Sequence, residues 1–146
     1  VGSDILTEHE STQYELLDLG VGKCQFVLAS TADFDPVAPR RKIIGTKYPL
    51  ITQRYFDRLG QDVEIIKIEG SVELAPLTGL ADAIVDITET GTTIRENHLQ
   101  IYDYLQPVST RLVVNRLALK QQQTAIFDLV DRLAAVVNTN NSKEFA

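Results

Sequence analysis

The chain of 146 residues holds one cysteine, no methionine and no tryptophan, and its 14 basic residues are outnumbered by 20 acidic ones. Each shortage removes a class of explanation. Cys24 has no second cysteine with which to form an intrachain disulfide, and it opens the apolar run Cys24–Ala29, where a thiol is expected to pack as a small buried hydrophobe. No base stands beside it in a suggestive pattern, and His9 and His98 share no ligand-like spacing with each other or with Cys24. Neither a cysteine nucleophile nor a zinc site is expected. The net charge is −6, and the basic residues are dispersed except for Arg40-Arg41-Lys42. That balance argues against nucleic-acid binding through a broad basic face. No apolar run reaches the length of a membrane span and no signal-peptide pattern opens the chain, so no membrane association is expected and the setting reads as reducing and cytoplasmic. An acidic protein that handles phosphates must gather cations locally or recruit Mg²⁺.

What is present is ordinary globular material, 44% hydrophobic, sufficient for one domain or two small lobes. Val1–Leu6 reads as the middle of a domain, and polar residues from Thr7 to Gln13 suggest a loop. Strands are predicted over Lys23–Ser30, Lys42–Gly45, Asp62–Glu69, Ala81–Ile87, Leu99–Leu105 and Thr110–Arg116. The continuous apolar centre of the first suits a sheet covered on both faces. Tyr48-Pro49 opens a helix whose buried stripe is Ile51, Tyr55, Phe56 and Leu59, and Gly60 closes it. A short helix capped by Ser71 and a last helix over Gln121–Asn138, with Ile126, Leu129, Val130, Leu133, Ala134 and Val137 on one face, complete the set; 138–146 reads as a polar tail. Strands alternating with helices predict an α/β architecture. Prolines near 39 and 107 mark two crossings between lobes, giving a first lobe from 1–40 and 109–146 and a second from 41–108.

The chemistry concentrates in one stretch. An apolar run ends on Asp86 and passes through Ile87-Thr88-Glu89-Thr90-Gly91-Thr92-Thr93 before entering a short helix at Ile94. A strand, a turn and a helix N-terminus together aim backbone N–H groups at one spot and favour an anion there. Thr90, Thr92 and Thr93 add hydroxyl donors, Gly91 permits a left-handed turn, and Asp86 is placed to accept hydrogen bonds from sugar hydroxyls or to hold a metal. The competing reading is an ordinary junction whose Thr and Gly residues only cap the helix. Glu89 would repel an anion if turned inward and is expected to point outward.

Three stretches in order, Glu69-Gly70-Ser71-Val72-Glu73-Leu74-Ala75-Pro76, Gly79-Leu80-Ala81-Asp82-Ala83-Ile84-Val85-Asp86 and Thr90-Gly91-Thr92-Thr93-Ile94 with Asn97, resemble the ATP phosphoribosyltransferase of histidine biosynthesis. Thr46-Lys47-Tyr48-Pro49, Leu17-Asp18-Leu19-Gly20 and Ser109-Thr110-Arg111-Leu112 extend the resemblance over nearly all of the chain. It implies a two-lobed α/β fold like the type II periplasmic binding proteins, with an active site between the lobes. It also implies transfer of a phosphoribosyl group from phosphoribosyl pyrophosphate to N1 of ATP, assisted by Mg²⁺. The turn, with Thr88, Thr90, Gly91, Thr92 and Thr93, would hold the ribose 5-phosphate, and Asp86 would face the ribose hydroxyls. Glu69, Gly70, Ser71 and Glu73 would face the pyrophosphate, its metal or ATP, unless Ser71 is a helix cap and Glu73 a first-turn dipole partner. Lys47 would meet a phosphate, and Asp82 is a further candidate that could equally just open its strand. Positioning and electrostatics suffice for this displacement, and no protein nucleophile is expected.

The resemblance is to the short form, which implies a homo-oligomer acting with a regulatory subunit similar to histidyl-tRNA synthetase. Members of the family begin several dozen residues earlier than Val1, with a strand and a basic turn, so part of the first lobe is expected to lie outside this sequence. A two-lobed solute-binding module without catalysis is the alternative from another class.

Overall fold

The structure, a computed structural model, describes residues 1–10 and 12–144. The elements in chain order are α1 (Ser3–Glu8), β1 (Tyr14–Asp18), β2 (Cys24–Ser30), β3 (Lys42–Thr46), α2 (Pro49–Arg58), β4 (Val63–Lys67), α3 (Ala75–Thr78), β5 (Ala83–Thr88), α4 (Thr92–Glu96), β6 (Gln100–Val108), β7 (Arg111–Val114), α5 (Arg116–Gln121) and α6 (Gln123–Glu144). A single 3₁₀ turn, Val72–Leu74, precedes α3. The chain forms two compact units, one of Val1–Lys23 with Val108–Ala146 and one of Cys24–Pro107. Residues 24–40 thus join the second unit and not the first lobe in which the sequence placed them. The reason is β2, which pairs along its length with β5.

The unit over Cys24–Pro107 is an α/β layer structure around a five-stranded sheet in the order β4-β3-β5-β2-β6. β3 runs parallel to both β4 and β5, with Thr46 opposite Lys67 on one side and Val85 on the other. β2 is antiparallel to β5. Val27, Ala29 and Ile84 pack on one face with Val72, Ala75, Ala81, Ile94 and Leu99. By strand alternation Phe26, Leu28, Ile44 and Val85 point to the other face, where α2 buries Ile51, Thr52, Tyr55 and Phe56. β2 is therefore covered on both sides, as its unbroken apolar run required. Leu59, expected in the α2 stripe, is instead 50% exposed, because the helix ends at Arg58 and the chain turns at Gly60 with φ +67°.

The unit over Val1–Lys23 and Val108–Ala146 is a two-stranded antiparallel sheet, β1 with β7, together with α1, α5 and α6. Arg111 fastens the ribbon by pairing with Glu15 and Asp18 on the opposite strand and donating to Ser109 Oγ at 3.0 Å. Three expectations change here. Residues 3–8 are helical. The Thr110–Arg116 strand stops at Val114, because Asn115 caps α5 by accepting the Ala118 N–H at 2.7 Å. The last helix runs past Asn138 to Glu144; residues 145–146 of the expected tail lie outside the described residues. Of its predicted apolar face, Ile126, Val130, Leu133, Ala134 and Val137 are half-buried while Leu129 is exposed.

Asp82, just before β5, locks the loop that joins β2 to β3. Its carboxylate accepts the Ile43 N–H at 2.7 Å and is paired with Arg40, and its carbonyl accepts Ser30 Oγ. The Arg40 guanidinium above all holds the Asp82 carboxyl below its ordinary value. Replacing Asp82 with Ala is expected to lower unfolding stability by about 1–2 kcal/mol at pH 7, the Arg40 end being screened by solvent. Because the folded protein favours the charged form, the contribution is complete above the ordinary carboxylate value of 3.8 and disappears as the pH falls below it. Denaturant unfolding of both proteins from pH 7 to pH 3 should show the gap closing with acid.

Candidate functional site

Three parallel strands end side by side, and their alignment gathers the segments that leave them along one edge of the sheet. Lys47 comes directly after β3; Glu69, Gly70, Ser71 and Glu73 come after β4; Asp86 and Thr88 close β5 and lead into the threonine turn. Chain segments leaving the carboxyl ends of parallel strands form the usual ligand-binding edge of an open α/β sheet. Residues 47 and 86, distant in sequence, become neighbours because Thr46 and Val85 are register partners.

Thr46 enforces this proximity. Wholly buried, it donates from Oγ1 to the Val85 carbonyl at 2.7 Å and accepts the Tyr48 N–H at 3.0 Å. One hydroxyl thus fixes the backbone on both sides of Lys47 and the residue before Asp86. The sequence pointed to Lys47 and passed over Thr46, whose signal was a hydroxyl at a strand end immediately before a proline-started helix.

Asp86, opposite Val27 of β2 in the sheet, is partly buried, with Oδ1 accepting the N–H of Ile87 at 2.8 Å. Burial pushes its carboxyl above the ordinary value; the Ile87 N–H and the Lys47 charge oppose this, and the Glu73 carboxylate adds to it. Two carboxylates and one ammonium therefore converge at this edge. Such a set accepts hydroxyl donors or a cation, and it is not arranged for nucleophilic attack. Among the described residues no group of three or more His, Cys, Asp or Glu side chains is placed to hold a metal ion.

In the turn, Thr88 Oγ1 accepts the Gly91 N–H at 2.8 Å, and Gly91 takes φ +76° at the start of α4. Thr90 and Thr92 share a hydrogen bond between hydroxyls at 2.7 Å, and no side chain caps the first N–H groups of α4. The capping explanation of these threonines is thus not what the geometry contains. Thr90, Thr92, Thr93 and Glu89 are all exposed. A cation that the sequence reading missed, Arg95, lies over Gly91 and donates weakly to Thr92 Oγ1 at 3.4 Å; a side chain at position 91 would collide with its guanidinium. Its signal was the helical spacing of Thr92 and Arg95, which puts them on one face.

Glu69 is exposed and paired with Lys67 at 3.2 Å. Gly70 has open space where a side chain would stand. Ser71 occupies the position before the 3₁₀ turn, yet its hydroxyl makes no cap bond; its carbonyl accepts the Leu74 N–H. Val72 is buried and anchors this segment under the sheet, with Glu73 half-buried beside it. Asp82 stands apart, at the opposite end of β5, occupied by Arg40 and Ile43. Cys24 is half-buried, less enclosed than its apolar run predicted, because it is the first residue of β2.

The family model of ATP phosphoribosyltransferase, HisG, matches residues 1–135. An ATP phosphoribosyltransferase of Lactiplantibacillus plantarum is 97% identical over 145 residues, which is 99% of this chain and 66% of that protein. The one from Lacticaseibacillus casei is 67% identical over 136 residues, 93% of this chain and 64% of its own length. The chain therefore spans a little under two thirds of these relatives. Among solved structures, the HisG:HisZ ATP phosphoribosyltransferase complex from Thermotoga maritima superposes with TM-score 0.82 at 36% identity, covering 94% of this chain and 68% of that one. An arginine-binding protein from the same organism superposes with TM-score 0.59 at 14% identity, covering 95% of this chain and 65% of that one, which shows a shared fold of the periplasmic-binding type and nothing more. On the strength of the match over residues 1–135 and of these identities, the chain belongs to the ATP phosphoribosyltransferase family.

Proposed function

We propose that the protein to which this chain belongs transfers the phosphoribosyl group of phosphoribosyl pyrophosphate to N1 of ATP, releasing pyrophosphate, as the first step of histidine biosynthesis. The observation that supports this reading is the convergence of Asp86, Lys47 and the Thr88–Thr93 turn at one edge of a parallel sheet, in a chain of this family. The turn receives the ribose 5-phosphate on the hydroxyls of Thr90, Thr92 and Thr93, and Gly91, at φ +76°, leaves room for the Arg95 guanidinium beside them. Thr88 holds the turn closed from beneath. Asp86, poorly solvated and short of donors, accepts the ribose hydroxyls, and Lys47 meets a phosphate oxygen.

The reaction displaces pyrophosphate at an anomeric carbon. As that bond breaks, positive charge grows on the ribose, and the carboxylates of Asp86 and Glu73 stabilise it most when the bond is most broken. Mg²⁺ would neutralise charge on the departing pyrophosphate. The residues present fit that role: Asp86 and Glu73 offer oxygen donors, and Mg²⁺ takes one or two carboxylates with the remaining ligands from phosphate and water. Glu69, Gly70 and Ser71 stand at the edge where pyrophosphate or ATP would lie, the Ser71 hydroxyl making no cap bond. As further parts of the proposal, the working protein is a cytoplasmic homo-oligomer acting with a histidyl-tRNA-synthetase-like regulatory subunit. The T. maritima relative is a HisG:HisZ complex, and no helix of the described residues is long and apolar enough to cross a membrane.

The direct test supplies the protein, at the full length of its relatives and with its regulatory subunit, with ATP, phosphoribosyl pyrophosphate and Mg²⁺. Phosphoribosyl-ATP is the expected product, and no turnover under these conditions would sink the proposal. Thr93→Val is expected to weaken phosphoribosyl pyrophosphate binding by about 1.5 kcal/mol, read by calorimetry, without changing the unfolding curve. Asp86→Asn should separate binding from stability more sharply. The folded protein disfavours the charged Asp86, so ionisation costs stability as the pH rises through its elevated value; below the ordinary 3.8 that cost is absent. The Asn variant is therefore expected to unfold at higher temperature than the parent at pH 7, to match it near pH 3, and to bind phosphoribosyl pyrophosphate about 1.5–3 kcal/mol more weakly. A variant that bound normally would show Asp86 to be only a structural carboxylate.

A further inference from the structure

We infer that the protein carries a second anion site, at the opposite end of β3 from Lys47, which takes a phosphate or phosphomonoester on Arg41 and Lys42. Arg40-Arg41-Lys42 is the one basic cluster of an acidic sequence, and the proposed transfer reaction does not use it. Lys42 opens β3 and Thr46 ends it, so at about 3.3 Å per residue the two ends lie roughly 13 Å apart.

Lys42 is 7% exposed, and its ammonium donates to a single acceptor among the described residues, the Ala38 carbonyl at 2.9 Å. A buried ammonium has three donors and is stabilised when an anion or several dipoles receive them. Beside it opens a cavity of about 370 Å³ whose charged lining is Arg40, Arg41, Lys42 and Asp62. Three cations face one carboxylate, and that carboxylate is already paired with Arg41 at 3.3 Å. Arg40 is directed to Asp82, whose charge Lys42 also feels. This leaves Lys42, with donors beyond the one spent on Ala38, and Arg41, whose long bond to the Val63 carbonyl at 3.5 Å and solvent-screened pairing with exposed Asp62 are exchangeable, as the recognition pair. The neighbouring cavity of about 320 Å³, which shares Arg40 and Lys42, is lined by Asp33, Asp35 and Asp82 and would repel the same ligand. The asymmetry directs a phosphate to the first cavity. Pro36 and Pro39 stiffen the loop over it, and Gly60 and Gln61 border it from the end of the α2 turn.

The probe is inorganic phosphate at low ionic strength, titrated calorimetrically into the Thr93→Val protein, in which the threonine turn is weakened as a competing site. Saturable binding is expected there, weakened about tenfold or more in Thr93→Val with Arg41→Gln. Arg41 is exposed and its replacement leaves the fold intact, as the unfolding curve should confirm. Lys42→Gln added to Thr93→Val should weaken phosphate binding likewise. No saturable binding in the Thr93→Val protein, or equal affinity with and without Arg41→Gln, would overturn the assignment. Because the reading of the threonine turn is tested by phosphoribosyl pyrophosphate and this site by phosphate in its absence, the two can fail separately.

Discussion

One buried hydroxyl holds the working edge of the sheet together. Thr46 is out of contact with water and satisfies two backbone groups at once, the Val85 carbonyl across the strand pair and the Tyr48 N–H that begins α2. Unpaired in the interior, either group would cost on the order of 1–3 kcal/mol. The chain therefore has little freedom at positions 46–48 and 85–86, and Lys47 and Asp86 inherit that rigidity without making it. A site assembled on strand ends in this way starts with its charges in place, and binding need not supply the energy to order them.

Asp86 shows what such rigidity permits. A carboxylate half-withdrawn from water beside a second carboxylate, Glu73, is an unfavourable arrangement for the folded chain. It persists because β5 is pinned on both sides, by β2 and by β3, and cannot move to hydrate it. On the proposed function, the unfavourable terms are those that the substrate would remove: hydroxyl donors would replace lost water, and positive charge on the ribose would relieve the repulsion with Glu73. Structural electrostatics alone would favour a neutral residue at 86, so the acid is informative about function.

Much of this was legible in the chain because strands declare themselves by apolar runs and helices by caps and spacing. Cys24–Ser30, Pro49–Arg58 and Ala83–Thr88 fall where the pattern put them within a residue or two. The threonine turn was legible because glycine and hydroxyl residues after an acid carry their own geometry. The misreadings have local causes. α5 was hidden since a single Asn cap outweighed the β-branched run before it. Ser71 looked like a side-chain cap, but the turn after it is 3₁₀ and satisfies itself through the Ser71 carbonyl. Asp82 could be read from sequence as a ligand group; only the tertiary meeting with Arg40 and Ile43 reveals a lock. Thr46 escaped because a two-way hydrogen bond needs the register of β3 against β5, which no single stretch of sequence encodes.

β3 also carries the cations through which, on the proposed function, an acidic protein would meet its anions. A net charge of −6 repels phosphates at long range, so attraction must come from cations held where solvent screens them little. The strand carries one lysine immediately after its last residue and another as its first. At the carboxyl end Lys47 is exposed and balanced by Asp86, which suits a substrate that must arrive and leave. At the amino end Lys42 is buried, donates to one neutral carbonyl and feels the charge of Asp82, a carboxylate that Arg40 already engages. Parallel strands place their ligand edge at the carboxyl end, so a buried cation at the other end has no part in that edge. With Asp82 engaged by Arg40, the donors that Lys42 has left are open to an anion of its own.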